Sequence, residues 1–155
     1  MLILLLTAAL LSGAPENGRK SYWFTGTTDH YFVFIEVGSI VRHESKVRAW
    51  VAYVYDPKHR PSNGARATTT LQEWDCSTRK NRTLAVASYG AEFKILEHAS
   101  SDTEVWQVVF PDSVGDLTLS RVCSGKGPSV GDVVQADSLE DLTARFTASL
   151  SLELR

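Results

Sequence analysis

Alternation of apolar and polar positions dominates this chain from residue 31 to residue 110. Tyr31-Phe32-Val33-Phe34-Ile35-Glu36-Val37 is aromatic and β-branched and runs into Gly38-Ser39, which reads as a strand followed by a turn. Residues 46–55 place Val47, Ala49, Val51, Tyr53 and Tyr55 on one face and Arg48, Trp50, Ala52 and Val54 on the other. Both faces become apolar toward the end of that run, as in a central strand partly covered on each side. Asp56-Pro57 stops it, and Pro61-Ser62-Asn63-Gly64 makes a loop. Residues 67–76, rich in Thr, predict the next strand, and residues 83–89, 92–97 and 104–110 complete a set of about six. The connections are short and hold no long helix, so neighbouring strands are expected to pair antiparallel.

The period changes after residue 112. Ser113-Val114-Gly115-Asp116 resembles a capping box and predicts a helix from Val114 that carries Cys123 at its end. Gly125, Gly127, Pro128 and Gly131 then break the chain. Ser138 with Asp141 opens a second helix, whose Leu139, Leu142, Phe146 and Leu150 form one stripe. That helix is expected to reach about Leu150; residues 149–154 alternate, so the tail has a strand reading as well. The fold class is therefore α+β, mainly β: one curved antiparallel sheet of about six strands with C-terminal helices. Trp50 and Trp106 are expected to be buried against the helix that begins at Val114.

The first eleven residues carry no charge and are nearly all apolar. The run is too short to span a bilayer and suits the apolar region of a signal peptide. Small residues at Leu11-Ser12-Gly13-Ala14 predict a leader over residues 1–14, with Thr7-Ala8-Ala9 as a second exit. The alternative is a buried N-terminal element of a cytosolic protein. Ala14 stands where a lipoprotein would need its lipidated Cys. Export implies periplasm, cell surface or secretion, and in such a compartment Cys76 and Cys123 are expected to be joined. The rest of the chain has the size of one domain, read as residues 22–124 with a part-helical extension over 125–155.

Net charge is −2, against a dedicated nucleic-acid binder. No later apolar stretch could cross a membrane. His30, His43, His59 and His98 fall in no metal-ligand spacing. No G-x-S-x-G elbow or phosphate loop occurs, so no enzyme, metal or cofactor is expected. Four tryptophans, Trp23, Trp50, Trp74 and Trp106, are either core or an aromatic binding face. Trp74, between Glu73 and Asp75, reads as the one most exposed. Basic residues gather in two loops: Lys58 and Arg60 before the Thr-rich strand, and Arg79, Lys80 and Arg82 after it. They are either solvated loops or contacts for acidic partners.

Tyr22-Trp23, Phe34-Ile35-Glu36-Val37-Gly38-Ser39-Ile40, Val47-Arg48-Ala49-Trp50, Trp74-Asp75-Cys76, Trp106-Gln107-Val108-Val109-Phe110-Pro111-Asp112-Ser113 and Arg121-Val122-Cys123 follow one another in the chain. This ordered set resembles the bacterial surface-adhesin protein E family from Tyr22 to about Cys123. Glu36 stands where the family often has Asp. The resemblance implies an antiparallel sheet with an attached helix, a Cys76–Cys123 disulfide and a place on the bacterial cell envelope. It further implies adhesion to extracellular-matrix or serum proteins, with a homodimer as one possible assembly. A second reading is a periplasmic accessory domain that binds a small ligand or a protein partner in a groove of the sheet.

Overall fold

The computed structural model describes residues 18–101 and 105–152; the leader reading and Glu104 lie outside them. Among the described residues nine strands form one sheet: β1 (Lys20–Thr27), β2 (Tyr31–Glu36), β3 (Val41–His43), β4 (Lys46–Tyr55), β5 (Ala67–Asp75), β6 (Lys80–Tyr89), β7 (Ile95–Ser100), β8 (Gln107–Val108) and β9 (Val133–Ala136). The helices α1 (Val114–Cys123) and α2 (Leu139–Leu152) follow β8 and β9. The strand order is β7-β6-β5-β4-β2-β1-β9, with β3 beside β4 and β8 beside β6, and every pairing is antiparallel.

The class agrees with the sequence reading, but the strand count is higher than about six. β1 lies outside the expected set, which begins at Tyr31; its Thr25 is fully buried beneath α1, with its hydroxyl 3.2 Å from that of Thr118. β3 and β9 are too short to show a period. The strand expected at 92–97 begins later, at Ile95, because Ala91–Phe93 forms a 3-10 turn. Among the described residues of the run 104–110, Gln107–Val108 forms the strand. α2 continues to Leu152, so the helical stripe prevails over the alternation that follows it.

Period-2 alternation gives the sheet two apolar faces, and each receives one helix. On the first, Trp23, Val33, Ile35, Val47, Ala49, Val51 and Trp74 pack with Leu119 and Val122 of α1. Fully burying Leu119 or Val122 contributes about 1.5–3 kcal/mol each. Both ends of α1 are tied. The Asp116 N–H donates to the Ser113 hydroxyl at 3.1 Å, as the capping pattern predicts. At the other end Arg42 donates to the Val122 carbonyl at 2.6 Å, satisfying an oxygen the helix cannot. The Cys76–Cys123 disulfide joins the end of β5 to the last turn of α1, with Cα atoms 5.5 Å apart. Closing a loop with a separation of 47 residues stabilises the fold by about 4 kcal/mol in the chain-entropy picture.

On the second face, Tyr22, Phe34, Ala52, Val54 and Ala136 pack with Leu142 of α2, and Phe146 meets Phe34 edge-on at 4.6 Å. The segment after residue 125 thus supplies β9, which pairs with β1, and the helix that covers this side. Trp50 and Trp106 do not lie under α1 as expected. Both are half-buried on the opposite face, since Trp50 shares its parity with Ala52 and Val54. Trp74 is corrected in the other direction: it is 1% exposed, within the α1 core.

Candidate functional site

Among the described residues, α2 packs on the β1–β2 half of the second face and the adjoining end of β4. Toward the start of β4 that face stays open, and its side chains there are Trp50, Arg48 and Lys46. Register brings partners beside them from the next two strands. Arg48 pairs with Glu73 of β5 and Glu73 with Arg82 of β6; Lys46 pairs with Asp75 and Asp75 with Lys80. Residues separated by up to 36 positions in the chain therefore meet as one basic patch.

Glu73 organises it. The residue is 6% exposed, and its carboxylate takes Arg48 Nη2 on Oε1 at 2.8 Å and Arg82 Nη2 on Oε2 at 2.6 Å. Burial opposes ionisation of Glu73, but the guanidinium hydrogen bonds from Arg48 and Arg82 outweigh it and hold the carboxyl below its ordinary range. Asp75 is ionised too, held down at about 2 by the Ser77 hydroxyl and by the N–H groups of Ser77 and Thr78. Those bonds turn its charge into its own turn. Trp106 stands over the patch, its ring centroid 4.7 Å from the Arg82 guanidinium carbon and 5.4 Å from Lys46 Nζ, both within cation–π range.

Cavities open on this face. One of about 400 Å³ is lined by Arg48, Arg82, Leu84, Ser100 and Ser101. A second, of about 210 Å³, lies on the other side of Arg48 against Val41, His43 and Lys46. A third, of about 400 Å³, lies between the sheet and the start of α2, with Tyr22, Trp50, Tyr89, Glu36 and Asp137 among its walls. Burial, with the Glu36 charge nearby, pushes the Tyr22 phenol up to about 12, so it stays a neutral hydrogen-bonding group.

The basic residues read from the sequence fall in two places. Lys58 and Arg60 are exposed in the β4–β5 loop at one end of β5. Arg79, Lys80 and Arg82 lie at the other end; Arg79 is ion-paired with Asp116 of α1, and Arg82 belongs to the patch. Nine residues of strand separate the two groups by about 30 Å, so they form no single surface. Trp74 cannot contact a partner from its place in the core. Lys46 and Arg48 were not among the residues expected in a site, although the alternation Lys46-x-Arg48-x-Trp50 carried the signal; Trp106, expected either in the core or on a binding face, lies against Lys46 and Arg82. Among the described residues no three His, Cys, Asp or Glu are grouped to hold a metal ion, and no helix is long and apolar enough to cross a membrane.

Comparison with known proteins adds a family. A family model described as surface-adhesin protein E matches residues 23–124. Two solved structures of Haemophilus influenzae protein E are similar to the chain. One is 12% identical and covers 64% of this chain and 91% of its own, with a TM-score of 0.44. The other is 14% identical over 70% of this chain and 98% of its own, also with a TM-score of 0.44. No curated protein gives a significant match.

Proposed function

The chain belongs to the surface-adhesin protein E family, and from that premise we propose that it is an exported cell-envelope module that adheres to extracellular-matrix or serum proteins. The observation that carries this reading is the open end of the second sheet face. There Lys46 and Arg82 lie against Trp106, with Arg48 and Lys80 on the same strands two residues away, on a chain whose net charge is −2. Local positive charge on an acidic molecule steers acidic partners to one surface, and the aromatic ring supplies short-range contact area. Lys58 and Arg60 form a separate basic loop that adds to the attraction from the far end.

Attraction of this kind is screened over about 8 Å at physiological salt. Association with immobilised matrix proteins is therefore expected to slow as salt rises. Lys58→Gln with Arg60→Gln, and Lys80→Gln with Lys46→Gln, are expected to lower the association rate while leaving thermal stability nearly unchanged, because exposed charges add little to folding. Binding undiminished by all four substitutions would remove this surface from consideration.

A second reading, a periplasmic domain that holds a small ligand or a protein partner, is favoured by the cavity between the sheet and α2, where Trp50, Tyr22 and Tyr89 meet polar groups. Wild-type protein that binds no matrix protein at any salt would favour that reading.

A further inference from the structure

A row of small side chains crosses the second face of the sheet: register places Ala52 of β4 beside Thr69 of β5, and Thr69 beside Ala87 of β6. Large rings stand around it. Trp50 lies two residues along β4 from Ala52, Tyr89 two residues along β6 from Ala87, and Tyr22 comes from β1. Residues 137–139, where α2 begins, supply a further wall. The cavity of about 400 Å³ between the sheet and α2 is the space that the small side chains leave between the rings, and its size falls within the range of small-molecule sites. Tyr22 and Tyr89 stand on strands with three others between them, yet the Tyr89 phenol acts electrostatically on that of Tyr22, so the two approach across the row.

The polar groups of this cavity are of two kinds. Glu36 is engaged by Lys20 Nζ at 3.0 Å and Asp137 by Arg19 Nε at 2.9 Å, so both carboxylates already have donors. The Tyr22 hydroxyl differs: the residue is 3% exposed, and among the described residues none hydrogen-bonds to that oxygen. It titrates only at about 12, so it is a standing donor without an acceptor in the wall of a cavity. We propose that the cavity holds the trimethylammonium head of a choline-type ligand, whose neighbouring oxygen accepts from Tyr22; this rests on the second reading above, which makes the cavity a small-ligand site. A quaternary ammonium carries no N–H and asks nothing of carboxylates that already have partners, whereas a primary ammonium brings several donors. Its charge is held instead by ring faces, of which Trp attracts most. Glu36 adds a nearby negative charge, and Lys20 beside it suits the phosphate of a phosphocholine ester.

Calorimetric titration tests this with choline, phosphocholine, tetramethylammonium and dimethylbutanol, the neutral isostere of choline. Choline is expected to bind about tenfold more tightly than the isostere, because only the cation is attracted to the rings. Trp50→Leu, and Tyr89→Leu on β6, are each expected to weaken choline about fivefold with thermal unfolding still cooperative. Tyr22→Phe is expected to weaken choline about threefold and to leave tetramethylammonium, which has no oxygen, nearly unchanged. Tighter binding of phosphocholine than of choline supports the proposal with an esterified head, and the reverse order supports it with the free alcohol. Equal affinity for choline and its neutral isostere, or choline affinity unchanged in both leucine variants, overturns it. A neutral sugar or an amino acid that binds, and is lost in Trp50→Leu, while choline does not bind overturns the proposal and keeps the small-ligand reading. Binding of none of these molecules overturns both.

Discussion

Glu73 shows how a charged residue becomes part of a core edge. Both its oxygens are taken by guanidiniums and it is 6% exposed. Its carboxyl titrates below the ordinary value of 4.5 in the folded protein. A depressed carboxyl pKa stabilises the fold above the unfolded value, and that contribution is lost as pH falls through the folded one. Glu73→Gln is therefore expected to cost about 1–3 kcal/mol at neutral pH, since it removes charged hydrogen bonds. The difference from wild type should close as pH drops from about 4.5, the ordinary glutamate value, toward and below the folded value. Urea denaturation at several pH values measures this, and a gap that stays constant with pH would refute it. Trp74, next in sequence, points the other way into the α1 core. Its charged neighbours suggested exposure, but on a strand neighbours in sequence occupy opposite faces, so Glu73 and Asp75 carry no information about Trp74's surroundings.

Among the elements, α1 is seated on β1 at a point where only glycine fits. A Cβ at Gly26 would lie 2.7 Å from Val114 Cγ2, the first residue of the helix, whose branched side chain has little room to retreat. Gly26→Ala is expected to destabilise the protein by about 1–3 kcal/mol by pushing α1 off the sheet. Gly115→Ala provides the contrast. Its Cβ would meet Ser113 Oγ at 3.5 Å and Val109 Cγ1 at 3.7 Å, ordinary contacts, and alanine favours the helix by up to about 1 kcal/mol. Thermal unfolding of the two variants should move in opposite directions; a fall in both, or in neither, would contradict this account of the β1–α1 contact.

For the whole molecule, the residues that match the family end at 124, yet the second layer of the fold comes after them. β9 and α2 cover Tyr22, Phe34, Ala52 and Val54. Each large apolar side chain returned to water forfeits about 1.5–3 kcal/mol, and a few of these consume the typical margin of 5–15 kcal/mol. A chain ending at residue 124 is expected to lose cooperative melting and to associate through the bared face. Differential scanning calorimetry and sedimentation velocity check this. A monomer with a sharp transition would mean that α1 and the disulfide alone sustain the sheet.

Much of this architecture was legible in the chain. Alternation in residues 46–55 separated Val47, Ala49, Val51 and Tyr53 from Ala52 and Val54 as the two faces of the sheet do, though it did not say which helix Trp50 would meet, and Ser113 and Ser138 marked helix starts where each hydroxyl does accept the expected N–H. Two cysteines allowed only one intrachain pair, which is the one formed. These features are local or exhaustive, so sequence alone determined them. Which part of the sheet stays uncovered was decided by the tertiary structure. Alternation states which residues share a face but not which part of that face a helix will cover. That depends on where α1 and α2 dock, contacts made across most of the chain. The Arg48–Glu73–Arg82 cluster likewise requires β4, β5 and β6 to pair in one register. Such juxtapositions are set by long-range pairing, and no spacing along the chain encodes them.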